Sequence, residues 1–589
     1  MSKRALLTSL AALSVLTALA CSREIRRFPL APPVWSDPDQ HPLEREPNKY
    51  YSGIYADAVD KSALYPASKW FTFPKKGEAE NVNALDEVPN SSWFHNRIGQ
   101  FDLSPEEVAA AECGDIANLD PEKGAWKVVG AKPDGANPGF MIEAPDGYKY
   151  LLKFDGKNQP LRATAADVVG SKLYWAIGYH SVCNEIVVFQ PDVLEIAPSA
   201  QTTTGLGKER KMVPADLDQV LDKAYRLKDG RLRASASRFV PGKPLGPFKY
   251  QSKRKDDPND VVLHENRREL RAGHLPAAWI GHVDAREQNT FDVLVEDQGA
   301  KFIRHYKIDW GDALGVGYEP DRLARRFGHS YPVDVQHIGE DLLTLGLLDR
   351  PWHDSTRTKV HIFGYFGVEG FVPSKWRGVY PIPAFQRRTP ADILWMTRIF
   401  SRITDDHVRA IVARAQLPDE RQVRYLEETL IARRNRFFEE YLSQYVALAG
   451  FRMARRTPGK TDQSLCFEDL AIRHGVSRPG ETYYQFRFHA GRALEREMGW
   501  VQFMPDEEHP GWSCVLLPLG RTRPAELAGA KAKDDDPLRY GVLDVWVHQK
   551  PTVMPMGQVR LHFYDLGPER GYRLVGIERP REVTVPDDY

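Results

Sequence analysis

From Trp126 to Phe189 the residues lay down one order of elements, and that order narrows the fold more than any other feature of the chain. Trp126 to Val129 is apolar and β-branched, Gly130, Gly135 and Gly139 punctuate a loop, and Phe140 to Glu143 follows. Pro145-Asp146-Gly147 turns the chain into Tyr150-Leu151-Leu152-Lys153-Phe154. Ala163 to Ile177 reads as a helix stopped at Gly178, and Glu185 to Phe189 as a further strand. The pattern predicts strand, glycine loop, strand, turn, strand with a central lysine, helix, strand.

Downstream, His282-Val283-Asp284-Ala285-Arg286-Glu287-Gln288-Asn289 has the HxDxxxxN spacing of a kinase catalytic loop. After a hairpin-like stretch comes Tyr306-Lys307-Ile308-Asp309-Trp310-Gly311, in the form of the metal-binding DFG turn with Trp for Phe. Phosphoryl transfer asks for a lysine on the phosphates, oxygen ligands for Mg²⁺ and a carboxylate that orients the attacking hydroxyl. Alone, each piece reads as a polar loop, a strand end, an exposed lysine or a solvated helix face. Their order along the chain is what points to this chemistry.

On these residues, the stretch 126–445 resembles the protein-kinase-like superfamily. The affinity is to atypical branches, the HipA-type and the spore-coat or secretory-pathway kinases. It also resembles a group of secreted bacterial proteins with HENRRELR-like and GYFGVEGF-like stretches, here 264–271 and 364–371. The resemblance implies an α+β, two-lobe fold, with a β-rich N-lobe and hinge over 126–250 and a helical C-lobe over 251–455. The hinge is expected within Ser237 to Tyr250. Lys153 would hold nucleotide phosphates, and Asp167 would stand where a helix Glu pairs with that lysine. Asp284 would be the catalytic base, and Asn289 and Asp309 the ligands of Mg²⁺ or Mn²⁺ carried with ATP or another nucleotide. Lys132, Gly135 and Gly139 fall in the phosphate-covering loop. Three departures stand out. The loop reads G-x4-G-x3-G, the lysine's partner is Asp, and no APE motif follows Gly311.

The flanks add three regions. An N-terminal extension over 70–125 is read as a layer on the next domain, with Ser104 and Glu107 as a capping box. Thr389-Pro390, Thr404 and the stretch Pro418 to Ala447 predict helices, with Arg433-Arg434 on a solvated face. Residues 456–589 are read as a small, mainly β domain.

At the start, Lys3 and Arg4 precede the apolar run Ala5 to Ala20, the pattern of an export signal over 1–20. Cys21 after Ala20 resembles a bacterial lipobox, which implies diacylglycerol and palmitate on Cys21 and a lipid anchor in the cell envelope. Ser22 in the second mature position favours the outer membrane. The Pro-rich stretch 21–69 is read as a tether that buries little. Lys plus Arg equals Asp plus Glu at 80 each, so no global charge calls for nucleic acid. Cys113, Cys183, Cys466 and Cys514 remain, and spacing alone leaves their pairing open, a Cys466–Cys514 bridge included. The absence of CxxC and HExxH spacings argues against zinc.

Two functions are compatible with these residues. One is an exported, lipid-anchored, kinase-like phosphotransferase of unknown donor and acceptor. The other is a catalytically inactive kinase-fold lipoprotein, a binding or structural module of the envelope. Nothing in the sequence names a protein partner.

Overall fold

Three strands carry the start of the fold: β1 (Trp126–Ala131), β2 (Gly139–Glu143) and β3 (Lys149–Phe154). Their alternating residues Trp126, Val128, Phe140, Ile142, Tyr150 and Leu152 are buried in one core, and the strands pair antiparallel in sequence order. The computed structural model describes residues 25–580, apart from 52, 66, 68–76, 114–118, 133–136, 204–208, 317–320, 456–462, 495, 506–510, 518–532, 552–553 and 568. Cys21, the export signal and Gly135 lie outside the described residues.

Next come β4 (His180–Ser181), β5 (Asn184–Phe189), β6 (Leu194–Thr203), β7 (Glu209–Lys211) and β8 (Leu232–Arg238). All but β4 complete a seven-stranded sheet in the order β5-β8-β3-β2-β1-β6-β7. The helix α1 (Arg162–Ala176) packs on it and is buried almost all round, which explains why its sequence lacks one apolar stripe. Asp155 holds the start of α1, accepting from Thr164 N at 3.0 Å and Thr164 Oγ1 at 2.6 Å.

A second sheet, β4-β11-β10-β9, is built on β9 (Lys243–Gly246) and the hairpin β10 (Thr290–Asp297) with β11 (Ala300–Lys307). Gln298 and Gly299 both have positive φ, +49° and +81°, as a two-residue hairpin turn of the I′ type requires. The stretch expected as a hinge thus runs from the end of β8 into β9, an edge strand paired with β10.

Helices α2 (Pro390–Ser401), α3 (Asp405–Ala413) and α4 (Glu420–Tyr441) follow. Trp279, Trp395, Phe400 and Phe437 lie in one core with Val88, Phe94, Ile98 and Val108 of the extension. Ser104 and Glu107 form the expected capping box of the helix Pro105–Ala110. The solvated face expected at Arg433-Arg434 is not one: both are buried, 5% and 6% exposed. Arg433 donates to the carbonyls of Trp279, Ala278 and Gly367 at 2.8, 2.6 and 2.7 Å, satisfying the end of a neighbouring helix.

The C-terminal part holds β12 (Leu448–Arg455), β13 (Gln463–Asp469), β14 (Thr482–Ala490), β15 (Arg496–Phe503), β16 (Trp512–Leu517), β17 (Tyr540–Gln549), β18 (Gly557–Asp565) and β19 (Tyr572–Glu578). Sheets β12-β13-β16 and β15-β14-β17-β18-β19 share a core of Leu448, Leu465, Phe467, Phe486, Leu543 and Val559. β12 pairs with β13, so the β region begins at Leu448 rather than at 456. Cys466 faces Cys514 across β13 and β16 and is bonded to it; Cys113 is bonded to Cys183. The chain is a mixed α+β protein.

The tether reading needs correction over 25–50. Phe28 is 5% exposed among Tyr540, Val542 and Tyr564, and Phe28 N donates to Tyr540 Oη at 2.9 Å. Further on, Asp39 accepts from Ser92 N and Oγ, and Tyr50 N donates to Leu245 O. Prolines keep this segment extended, but its few large apolar side chains find partners on the body. It is a strap.

Candidate active site

Strand register brings the first residues together. Gly139 pairs with Lys153 between β2 and β3, and Lys153 pairs with Ser235 between β3 and β8. Only glycine fits at 139, since a β-carbon there would stand 2.3 Å from the Leu152 carbonyl oxygen. The glycine loop therefore closes back onto the lysine strand, and Lys132 N donates to Gly139 O at 3.0 Å. From the same loop, Asn137 reaches the Gly311 turn, where a β-carbon on Gly311 would lie 3.1 Å from Asn137 Nδ2.

Lys153 is buried between two carboxylates. Its Nζ lies 3.2 Å from Asp167 Oδ2 on α1 and 2.9 Å from Asp309 Oδ1. Aspartate in place of the expected glutamate still reaches the lysine. Asp167 is held in turn by Ser235 Oγ, which donates to its Oδ2 at 2.9 Å, and by Trp310 N, which donates to its Oδ1 at 3.0 Å. Arg162, at the start of α1, donates to the carbonyls of Gly311 and Ala313 at 2.6 and 2.7 Å. One helix thus positions both the lysine's partner and the turn after Asp309.

The hairpin does the same for the other pair. Thr290 is in register with Lys307, so Asn289 and Asp309 emerge side by side where β10 begins and β11 ends. Ile308 N donates to Asn289 O at 3.2 Å and closes that end. Asp309 adopts φ +56°, a left-handed conformation that Asp tolerates better than most residues. Its side chain is 37% exposed, whereas that of Asp167 is 1% exposed. Of the two carboxylates on Lys153, Asp309 is the one a ligand can reach.

Asn289 Nδ2 donates to Asp284 O at 2.7 Å and Asp284 Oδ2 at 3.0 Å, which leaves Oδ1 as the outward acceptor end. Asp284 also forms an ion pair with Arg286, Nε to Oδ1 at 2.5 Å. Burial is nonetheless the larger influence, and with Asp312 and Asp309 nearby it pushes the Asp284 carboxyl up to about 7 against the pull of Arg286. Burial would raise Asp309 too, but Lys153 and Lys132 beside it hold its carboxyl well below the usual range. Burial opposes the charge on Lys153, yet Asp167 and Asp309 keep its ammonium above the ordinary lysine range. Burial also raises Asp167, only partly offset by Lys153. Asp284 and Asp309 are thus pushed in opposite directions, the first by burial and the second by the two lysines beside it.

The donor set suits Mg²⁺ or Mn²⁺. Asn289 Oδ1 and Asp309 offer hard oxygens, and such ions take one or two protein ligands and complete their shell with phosphate oxygens and water. Among the described residues no cage of clustered carboxylate, His or Cys ligands surrounds this position. Among the described residues one group of three ligand side chains clusters, Cys113, Cys183 and Glu185, and its two sulfurs are spent in a disulfide.

Lys153, Asp167, Lys132, Gly139, Asp284, Asn289 and Asp309 are therefore all placed around the meeting of β3, α1 and the hairpin end. Four residues of this neighbourhood escaped the sequence reading: Ser235, Asn137, Arg162 and Arg286. Arg286 lies inside the HxDxxxxN stretch and was legible as a neighbour of Asp284; the other three depend on strand register and helix packing that spacing does not reveal.

No family model and no curated protein matches the chain. Among solved structures, the Golgi casein kinase aligns at 11% identity over 67% of this chain and 97% of that one, TM-score 0.22. A structure of the Golgi casein kinase with Mn/ADP bound aligns at 11% identity over 69% and 97%, TM-score 0.23. At TM-scores of that size the likeness carries no argument for fold or function.

Proposed function

We propose that this chain is an exported, lipid-anchored phosphotransferase of kinase-like fold, in which the seven-stranded sheet with α1 is the N-lobe and the helices up to α4 belong to the C-lobe. The observation that carries the reading is the convergence of Lys153, Asp167, Asp284, Asn289 and Asp309 from four separate stretches onto one site. A half-exposed carboxylate held against a buried lysine, with the buried Asp284 carboxyl close by, suits the binding of a charged ligand.

In this reading Lys153 neutralises nucleotide phosphates, with Lys132 adding charge from the loop. Asn289 and Asp309 would hold the divalent ion, which when bound screens the charge on the phosphates. Asp284 accepts the proton of the attacking hydroxyl, and Arg286 and Asn289 keep its carboxylate oriented. Its raised pKa makes it a better proton acceptor than an ordinary surface aspartate.

Export is supported by the disulfides Cys113–Cys183 and Cys466–Cys514, which suit an oxidising compartment. Lipid attachment at Cys21 is supported by the three-part leader pattern. Phe28 is pinned seven residues beyond Cys21, a reach of at most about 25 Å, so the body would sit close to the bilayer.

The test is a melting curve of the purified chain with ATP and Mg²⁺ or Mn²⁺. A metal-dependent rise is expected, lost in Asp309→Ala and weakened in Lys153→Ala. If neither metal lets ATP or GTP move the curve, the enzyme reading fails and the scaffold reading replaces it.

A further inference from the structure

We infer that residues 57–65 of the N-terminal segment are a working part of the site, with Lys61 and Asp57 as positioning residues for the loop that carries Asp284 and Asn289; the inference rests on the phosphotransferase reading above. The strap does not end at Tyr50. Asn48 N donates to Asp256 Oδ2 at 2.7 Å, and the chain then enters the helix Ile54–Val59. A wider π turn over Asp60–Leu64 continues it, closed by Tyr65 N on Asp60 O.

This short helix meets the loop twice, on adjacent residues. Lys61 Nζ lies 3.7 Å from Glu287 Oε1, with the two side chains 3% and 2% exposed. One residue on, Gln288 Nε2 donates to Asp57 Oδ2 at 2.6 Å, while Tyr380 Oη donates to Gln288 Oε1 at 3.5 Å. Glu287 and Gln288 directly precede Asn289 and lie between it and Asp284.

Glu287 is the anchor of the loop. Its carboxylate accepts from Tyr250 N at 3.3 Å, and its carbonyl accepts from Thr290 Oγ1 at 2.6 Å. Among the described residues Lys61 is the cation paired with it. Lys61 also pairs with Asp60 at 3.1 Å, but that carboxylate is 42% exposed and can turn to water. Burial pushes the Glu287 carboxyl up, and Lys61 is the strongest influence against it. A buried carboxylate deprived of its cation must take a proton or move toward water. Either change disturbs the turn Glu287–Asn289, and with it Asn289 Nδ2, which holds Asp284 by its carbonyl and Oδ2. A misplacement of about 1 Å at such a group can cost about 10²-fold in rate. The depth of the pair also argues against a removable block. To leave, the helix would have to strip a fully buried carboxylate of its cation. The segment expected as a passive tether is thus a support of the site.

The experiment compares the full chain with Lys61→Met, Lys61→Arg and Asp57→Ala. Lys61→Met should lower the rate of ADP release from saturating Mg²⁺-ATP tenfold or more per folded molecule, with the ATP-induced melting shift within twofold of wild type. Lys61→Arg keeps the charge and should restore the rate to within threefold. Asp57→Ala, at a half-buried position that folding tolerates, should lower it threefold or more. Hydrogen exchange over 284–290 should quicken in Lys61→Met and Asp57→Ala, but not in Lys61→Arg, while exchange over α1 stays as in wild type. An unchanged rate, or exchange that quickens throughout the chain alike, overturns the inference and leaves the phosphotransferase reading standing. A rate that rises in Lys61→Met overturns it too, and makes the helix a block. If the wild type neither binds ATP nor releases ADP, the positioning role falls together with the phosphotransferase reading.

Discussion

Trp310 packs against Gly170 of α1, so close that a β-carbon on Gly170 would stand 2.3 Å from the indole Cγ. This contact couples the turn carrying Asp309 to the helix carrying Asp167, because Trp310 N also donates to Asp167. In an unconstrained helix Ala is better than Gly by about 1 kcal/mol. Here Gly170→Ala should instead destabilise the chain by about 1–3 kcal/mol through overpacking and weaken the ATP-induced melting shift. A stabilised variant would mean that Trp310 does not pack there.

Asp284 links the chemistry to stability. Its carboxyl, raised to about 7 chiefly by burial, binds a proton in the folded state that an unfolded chain has already released above pH ~4. That contribution is fully present below the unfolded pKa and is lost as pH rises through 7. Asp284→Asn should therefore match the wild type at pH 4 and exceed it at pH 8, by up to about 4 kcal/mol, in urea unfolding. A variant less stable at pH 8 than at pH 4, relative to wild type, would reverse the assignment.

The strap gives a separate expectation. Phe28 fills the space over Gly576, where a β-carbon would stand 2.4 Å from its ring. Phe28→Ala should open residues 29–50 to limited proteolysis while the wild-type segment stays intact, since removing a buried Phe costs about 3–5 kcal/mol. Equal cleavage of both chains would restore the picture of a loose tether.

The residues that gather at the candidate site were expected together because they sit at fixed offsets from short elements. Lys153 near the end of a strand, Asp284 and Asn289 in one loop, and Asp309 two residues before a glycine needed only spacing and turn residues to be picked out. The helix Arg162–Ala176 and the strands around it followed from local punctuation by Gly178 and Pro145-Asp146-Gly147. What spacing could not show was long-range register. Ser235 reaches Asp167 only because β8 inserts between β3 and β5. Arg433 looked like a solvated charge until the carbonyls it serves were brought beside it by helix packing. The strap looked free because prolines and charges dominate its composition, whereas its attachment depends on single residues such as Phe28 and Asp39.

The most direct measurement compares ADP release from Mg²⁺-ATP by the wild type and by Asp284→Ala at matched nucleotide occupancy. A base contributes in the transition state rather than to ground-state affinity, so the variant should bind ATP within about threefold of wild type. Its rate should fall by about 10²-fold or more, the usual contribution of a general base. Equal rates in the two chains, or a loss of binding that accounts for the whole effect, would contradict the assignment of Asp284 and with it the phosphotransferase site.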